Sequence, residues 1–232
     1  MREDFQWWVL PMVNPDGVII GNFRCNLQGK DMNRRFFADD DETTLSDVCS
    51  EVELIKAYMR ENLAGNLRMF LDLHDHSKKK SICLWAPKPA DKYEIARTKV
   101  FSLILDDMTD VFRLEYCRYI NEKTSKNSAR MYIFQNYKLP DSYTIESSGF
   151  GFETKNEDSN QIVQFTPEHF LEFGKTLALA TARHLDINLP KNSEQISGVD
   201  IELDFGLSPH HSLPSDHSSW MHVAEQVKLR KF

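Results

Sequence analysis

Apolar residues fall along this chain in two rhythms. Short, nearly continuous runs stop at Pro, Gly, Asn or Asp, and longer segments repeat an apolar residue every three or four positions. Residues 7–13, Trp-Trp-Val-Leu-Pro-Met-Val, belong to the first kind and stop at Asn14-Pro15-Asp16-Gly17. They predict a buried strand running into a tight turn. A strand apolar on both faces needs neighbours, and left unpaired it is a docking or aggregation edge, so the isolated chain is expected to be poorly soluble or oligomeric. Residues 67–74 and 81–86 predict two further buried strands, the first ending in His74. Residues 130–134 and 142–147 predict two short ones separated by Asn136-Tyr137-Lys138-Leu139-Pro140-Asp141.

The second rhythm predicts helices. Over residues 44–63, Val48, Val52, Ile55, Met59 and Leu63 share a face behind a capping-box-like start at Thr44 and Asp47. Residues 91–112 place Ile95, Phe101, Leu105 and Met108 inward. Thr166-Pro167 supplies an N-cap and a proline at the first helical position, followed by the stripe Phe170, Leu171, Gly174, Leu177, Ala178, Thr181 and Leu185. Strands alternating with helices indicate an α/β fold, with a mixed, mostly parallel sheet flanked by helices. Periodicity fades after Pro190. Residues 1–189 therefore form one domain, and residues 190–232, rich in Ser, Pro, Asp and His, form a tail or extension.

Charge and cysteine usage narrow the function classes. Lys and Arg total 28 against 35 Asp plus Glu, a net charge of −7, which argues against a general nucleic-acid binder. No apolar run approaches the roughly 20 residues of a membrane helix, and Met1–Trp8 lacks the apolar core of a signal peptide. Cys25, Cys49, Cys83 and Cys117 are scattered, with no C-x-x-C pair. That excludes a zinc ribbon and a disulfide framework and predicts free thiols in a reducing compartment.

Four local sequences carry candidate chemistry. They are Pro11–Val18 with Gly21-Asn22-Phe23-Arg24-Cys25; Gly29-Lys30-Asp31-Met32-Asn33-Arg34; Asp72-Leu73-His74-Asp75-His76-Ser77; and Tyr143-Thr144-Ile145-Glu146-Ser147. His74 at the mouth of a strand is a metal-ligand position, with Asp72 or Asp75 available to orient its ring. Taken alone it also reads as a surface histidine with a structural hydrogen bond. Arg24 and the Asn33-Arg34 pair follow a strand on loops, where guanidinium groups suit carboxylates or oxyanions, or surface salt bridges. Glu146 ends an apolar strand, where partial desolvation makes it a candidate base, or a cap.

Together the four segments resemble the zinc metallocarboxypeptidases, specifically the cytosolic carboxypeptidase branch, which trims glutamates from tubulin tails and other acidic C-termini. The resemblance covers roughly residues 7–185. It implies that His74 is the third zinc ligand and that Arg24 polarises the scissile carbonyl. It further implies that Asn33 and Arg34 grip the terminal carboxylate, that Glu146 is the general base and acid, and that Arg130 makes the pocket prefer acidic side chains. The implied cofactor is zinc and the implied partners are acidic peptides or tubulin C-terminal tails, with neither nucleic acid nor membrane. The implied location is the cytoplasm, with microtubules or cilia following from those substrates.

The family's first two zinc ligands come from a His-x-x-Glu motif upstream of the Asn-Pro-Asp-Gly segment, and no such motif precedes Asn14 here. His169–Glu172 has the spacing but lies inside the final helix, whose stripe explains it as a polar face, and His222–Glu225 lies in the tail, in the wrong chain order. Tyr132 and Tyr137 are both poorly placed for the family's mobile tyrosine. Since zinc catalysis takes three protein ligands, the missing two are expected from another polypeptide or a missing N-terminal segment that also completes the sheet, and this chain alone is expected to be inactive. Two readings stay open: an incomplete view of a working metallocarboxypeptidase, or a carboxypeptidase-derived structural or binding subunit that has lost catalysis.

Overall fold

A computed structural model describes residues 6–37, 48–121, 126–155 and 161–185. Its main sheet has four strands: β1 (Phe70–His76), β2 (Ile82–Ala86), β3 (Arg118–Tyr119) and β4 (Ser142–Ser148), in the spatial order β1-β4-β2-β3. β1 runs parallel to β4 and β2 parallel to β3, while β2 and β4 are antiparallel. The sheet is thus mixed, with two of its three pairings parallel. A two-stranded antiparallel unit, β5 (Gly151–Glu153) with β6 (Ile162–Gln164), adjoins it. Ser81, at φ +65°, ties the two together. Its N–H donates to Gly151 O at 2.7 Å, its carbonyl accepts from Ser148 N, and its hydroxyl accepts from Glu153 N at 3.0 Å.

Strand alternation sends successive side chains to opposite faces, and the two faces have different company. Ile82, Leu84, Ala86, Tyr143 and Ile145 enter a core with α3 (Lys92–Met108) and α5 (Pro167–His184), whose Val100, Phe101, Ile104, Phe173, Leu177 and Ala180 are buried with them. The other face carries Asp72, His74, Cys83, Trp85, Thr144 and Glu146, which are register partners across the strands. At its Phe70 end this face is covered by a second cluster from α2 (Ser50–Asn62) and α4 (Ala129–Asn136), including Val52, Met59, Tyr132 and Ile133.

Three sequence expectations are corrected. Residues 7–13 form no strand. They form no regular element, bend at Pro11 and Val13, and are largely exposed, with Trp8 edge-on to Tyr58 of α2. Pro11 has no N–H to give a ladder, and among the described residues no strand pairs with this segment. Asn14–Gly17 is the start of a helix, α1 (Pro15–Ile20), not a turn between strands; Asn14 is its N-cap and Pro15 its first residue. Residues 130–134 are α4, not a strand, started by Ser128, whose Oγ accepts from Met131 N. A short apolar run buried on all sides has no period with which to tell helix from strand. Helix α2 begins at Ser50, and Thr44 and Asp47, the expected cap, lie outside the described residues, as does the tail beyond Leu185.

Beneath the start of β4 sits a buried polar group. The Asp141 carboxylate, fully buried, accepts from Tyr143 Oη at 3.0 Å, meets His184 Nε2 at 3.0 Å and pairs with Arg97 Nη2 at 2.6 Å. Burial alone would raise its pKa, but the His184 and Arg97 charges and hydrogen bonds outweigh burial and hold it down at about 2, against an ordinary 3.8. A depressed carboxyl contributes stability that is present above its unfolded pKa and is lost as pH falls through the folded one. Chemical unfolding should therefore show about 2 kcal/mol lost between about pH 4 and pH 2. Asp141→Asn should cost about 3 kcal/mol at neutral pH and flatten that slope. An unaltered pH dependence in the variant would count against the network.

Candidate active site

The site is built where the open sheet face meets the loop after α1. In the parallel β1–β4 ladder, His74 is the register partner of Glu146, so both side chains leave the same face on strands about 4.8 Å apart. His74 lies within β1 rather than at its mouth, since the strand continues to His76.

The ring is oriented by Asp72, whose Oδ2 lies 2.8 Å from His74 Nε2. The alternative, Asp75, sits at an odd position on the opposite face and is exposed. With Nε2 engaged, Nδ1 is the ring nitrogen left for a metal. Burial pushes the imidazole pKa down, but the Asp72 hydrogen bond and charge, with the Glu146 charge, raise it overall. Glu146 is itself mostly buried, and burial raises its carboxyl above the ordinary value. Asp72 adds to that rise, whereas the charges of His74, Arg130 and Arg24 oppose it. Its raised proton affinity makes Glu146 a stronger base than a solvated glutamate.

Asn33 joins the segments. It sits in a single 3-10 turn, Met32–Arg34. Its Nδ2 lies 3.1 Å from His74 Nε2 and 3.3 Å from Asp72 Oδ2, and its Oδ1 accepts from Ala129 N, the first residue of α4, at 2.8 Å. That last bond brings the N-terminus of α4, and the buried Arg130 beside it, to the site. Arg34 donates from Nη1 to the Asn33 carbonyl at 2.7 Å. Asp31 divides its two oxygens: Oδ1 accepts from Asn33 N at 3.0 Å and Oδ2 pairs with Arg24 Nε at 2.5 Å. Arg24 remains half exposed, on the open side.

Most of the long motif around these residues is scaffold. Asn14 accepts from Gly17 N and donates to Cys25 O at 3.0 Å. Gly17 has no room for a side chain, because a Cβ would lie 2.2 Å from Asn14 Nδ2 and 2.7 Å from Cys25 O. Gly21 ends α1 in the left-handed region. Asn26, buried, accepts from Gln28 N and Lys30 N through Oδ1. These bonds fold residues 14–34 into one loop that presents Arg24, Asn33 and Arg34 to the strand ends.

The structure thus brings His74, Glu146, Arg24, Asn33 and Arg130 together, with Arg34 attached through Asn33. Asp31 was not recognised from the sequence. Its signal is an acid two residues before Asn33, where it caps the turn. Cys83, the register partner of Glu146 on β2, was missed as well. His169 is occupied at the start of α5, where its Nδ1 accepts from Thr166 N at 3.0 Å, and Glu172 pairs with Lys175. His222 and Glu225 lie outside the described residues. Among the described residues no group of three His, Cys, Asp or Glu could hold a metal ion. The described side chains fit one zinc position, at His74, and do not by themselves make a complete site.

Residues 1–200 match the family model described as zinc carboxypeptidase. Among curated relatives, cytosolic carboxypeptidase 2 of Mus musculus is 31% identical over 179 residues, covering 75% of this chain and 19% of that protein. Cytosolic carboxypeptidase 4 of the same organism is 29% identical, covering 77% and 17% respectively, and cytosolic carboxypeptidase 3 of Bos taurus is 26% identical, covering 100% and 25%. The chain therefore spans a quarter or less of the length of these relatives. Its fold is similar to that of a metallo-carboxypeptidase from Burkholderia cenocepacia (TM-score 0.60, 19% identity, 76% of this chain and 44% of that one). It is also similar to a putative carboxypeptidase A from Shewanella denitrificans (TM-score 0.59, 22% identity, 76% and 46%).

Two outcomes follow from the geometry. Gly17→Ala should lower unfolding stability by about 1–3 kcal/mol through that clash, and a neutral effect would refute the packing of the loop. Asp72→Asn should lower the His74 imidazole pKa measured by NMR titration, because burial then goes less opposed. An unchanged titration would show that Asp72 does not orient the ring.

Proposed function

Because the chain belongs to the zinc carboxypeptidase family, we propose that it supplies the substrate-gripping and proton-transfer part of a metallocarboxypeptidase site that removes C-terminal acidic residues, glutamate foremost, from peptides such as tubulin tails. The observation that carries this reading is the in-register pairing of His74 with Glu146, beside three cations whose chemistry fits one substrate. The names of the curated relatives favour a cytosolic setting, with microtubule or ciliary association as the corollary of that substrate.

The roles divide by geometry. Asn33 and Arg34, joined by a backbone hydrogen bond, offer amide and guanidinium donors to the terminal carboxylate. Arg130, buried at the start of α4, answers the acidic side chain of the terminal residue. Arg24, held by Asp31 on the open side, donates to the carbonyl oxygen of the scissile bond as charge develops there. Glu146 takes the proton of the attacking water on its carboxylate and returns it to the leaving amine. Zinc, when bound, supplies a Lewis acid that activates water and polarises the carbonyl. His74 through Nδ1 would be one of its ligands. The others would come from a further segment or polypeptide, since none of the described clusters completes the set.

The test is the zinc-supplemented protein together with the segment that completes the ligand set, assayed on peptides ending in Glu or in Lys. Glu146→Gln should lower kcat by about 10²–10⁴-fold with KM little changed, and the unfolding midpoint should hold. Retained turnover in that variant, or equal turnover of the two peptides, would defeat the reading. A protein that stays inactive with zinc and with the complementing segment would favour the subunit that has lost catalysis.

A further inference from the structure

The second histidine of the Asp72–Ser77 segment, His76, has no part in the proton transfer or in the grip on the peptide terminus. Strand alternation puts it on the same face as Asp72 and His74, at the end of β1 and about 6.6 Å beyond His74. Its ring stays over that face, meeting the Trp85 ring of β2 edge-on with the centroids 6.2 Å apart. The two ring nitrogens have different company. Nδ1 accepts from Lys78 N at 3.0 Å and from Lys79 N at 3.1 Å, closing the turn that follows β1. A proton on Nδ1 would face two N–H groups, so the neutral ring carries its proton on Nε2. Among the described residues Nε2 meets no hydrogen-bond partner, and the side chain is half-buried. The turn thus fixes a neutral N–H donor on the floor of the site, and none of the described residues takes it up.

We propose that His76 is a substrate-contacting residue whose Nε2–H donates to the main-chain carbonyl two residues before the scissile one, so that this end of the site senses the length of the peptide and not its side chains. The proposal rests on the carboxypeptidase reading above for where the peptide terminus and the scissile bond lie. The Phe70 end of the floor is covered by α2 and α4, and there Asn33 reaches Asp72 and His74. A terminal carboxylate at Asn33 and Arg34, and a scissile bond at His74 and Glu146, therefore mark out a line along β1. The covered end leaves the rest of the peptide to run toward His76. In an extended chain successive carbonyls alternate, and carbonyls two residues apart point the same way about 6.6 Å apart. That is the spacing from His74 to His76. A neutral donor serves the carbonyl of any residue, so it adds affinity to a longer chain whatever its side chains. Arg34 and Arg130, by contrast, act on the terminal residue alone.

The test compares two peptides by calorimetry on the full chain without zinc. One is acetyl-Ala-Ala-Ala-Glu; the other carries sulfur, a much weaker acceptor, in place of the carbonyl oxygen of its first alanine. The oxygen peptide should bind about fivefold more tightly, the worth of one hydrogen bond. Two variants separate the ring nitrogens. His76→Asn keeps an acceptor near the Nδ1 position for Lys78 N and Lys79 N but has no donor near Nε2, so it should bind both peptides alike with its unfolding midpoint held. His76→Gln places an amide N–H near the Nε2 position and should keep part of the preference. Nitrogen-15 NMR should find the His76 proton on Nε2. A preference undiminished in His76→Asn, or a proton on Nδ1, would overturn the proposal and leave His76 as a turn cap only. Equal binding of the two peptides by the wild-type chain, with both lost on Arg34→Gln, would overturn it while the terminal-carboxylate reading stands. Failure of the wild-type chain to bind either peptide would overturn both.

Discussion

The parallel pairing of β1 with β4 is the constraint from which the site follows. About 70 residues separate His74 from Glu146 along the chain, and no local interaction could bring them together. The ladder does so by register, because a parallel neighbour at the same level presents its side chain to the same face. A slip of one residue would turn Glu146 toward the apolar core, turn Tyr143 and Ile145 out of it, and leave His74 without its carboxylate partner. That slip is opposed from the far side, where Tyr143 and Ile145 are already committed to the core with Phe101 and Leu177. Packing on one face of the sheet therefore sets the chemistry on the other. Asp141, anchored by His184 and Arg97 just before β4, pins the strand at its start.

Two amide side chains then assemble the rest around this pair. Asn14 closes the loop that follows α1, and Asn33 bridges that loop to β1 and to α4. Asp31 serves two neighbours at once, with one oxygen on the Asn33 backbone and the other on Arg24. Few residues of the long motif touch the open face. The others satisfy backbone donors and acceptors that a compact loop cannot leave unpaired. A run that looks catalytic in sequence is mostly the means of holding three side chains still.

Much of this was legible in the sequence, for identifiable reasons. β1, β2 and β4 are apolar runs punctuated by polar or turn residues, and α3 and α5 carry a clear helical stripe. His74 and Glu146 lie at or near the ends of apolar runs, which made each a candidate by itself, and the resemblance to the zinc metallocarboxypeptidases implied that they act as a pair. Two of the errors share a cause. Residues 7–13 and 130–134 are also apolar runs, yet one lies exposed on the surface and the other is a helix with Arg130 through Ile133 all buried. Continuous hydrophobicity reports burial preference and carries no period. β3, β5 and β6, of two or three residues each, are too short to leave any pattern. Asp31 was passed over because its work is a backbone cap, which in sequence looks like any surface acid.

The electrostatics of Glu146 tie gripping to chemistry. Burial raises its proton affinity, and Arg24 and Arg130 lower it. In the proposed reading both arginines also meet the substrate: Arg130 its acidic side chain, Arg24 the carbonyl of the scissile bond. A carboxylate bound at Arg130 neutralises one of the charges that weaken Glu146 as a base, and the bound peptide removes water from a face that is otherwise open. Both changes act in the same direction, and the first of them raises the basicity of Glu146 only when an acidic terminal residue is in place. A neutral or basic terminal residue brings no carboxylate to Arg130, and in that reading Glu146 stays the weaker base. In the proposed reading, the cation that would select the substrate is thereby coupled to the group that would move the proton, through the charge interaction between Arg130 and Glu146.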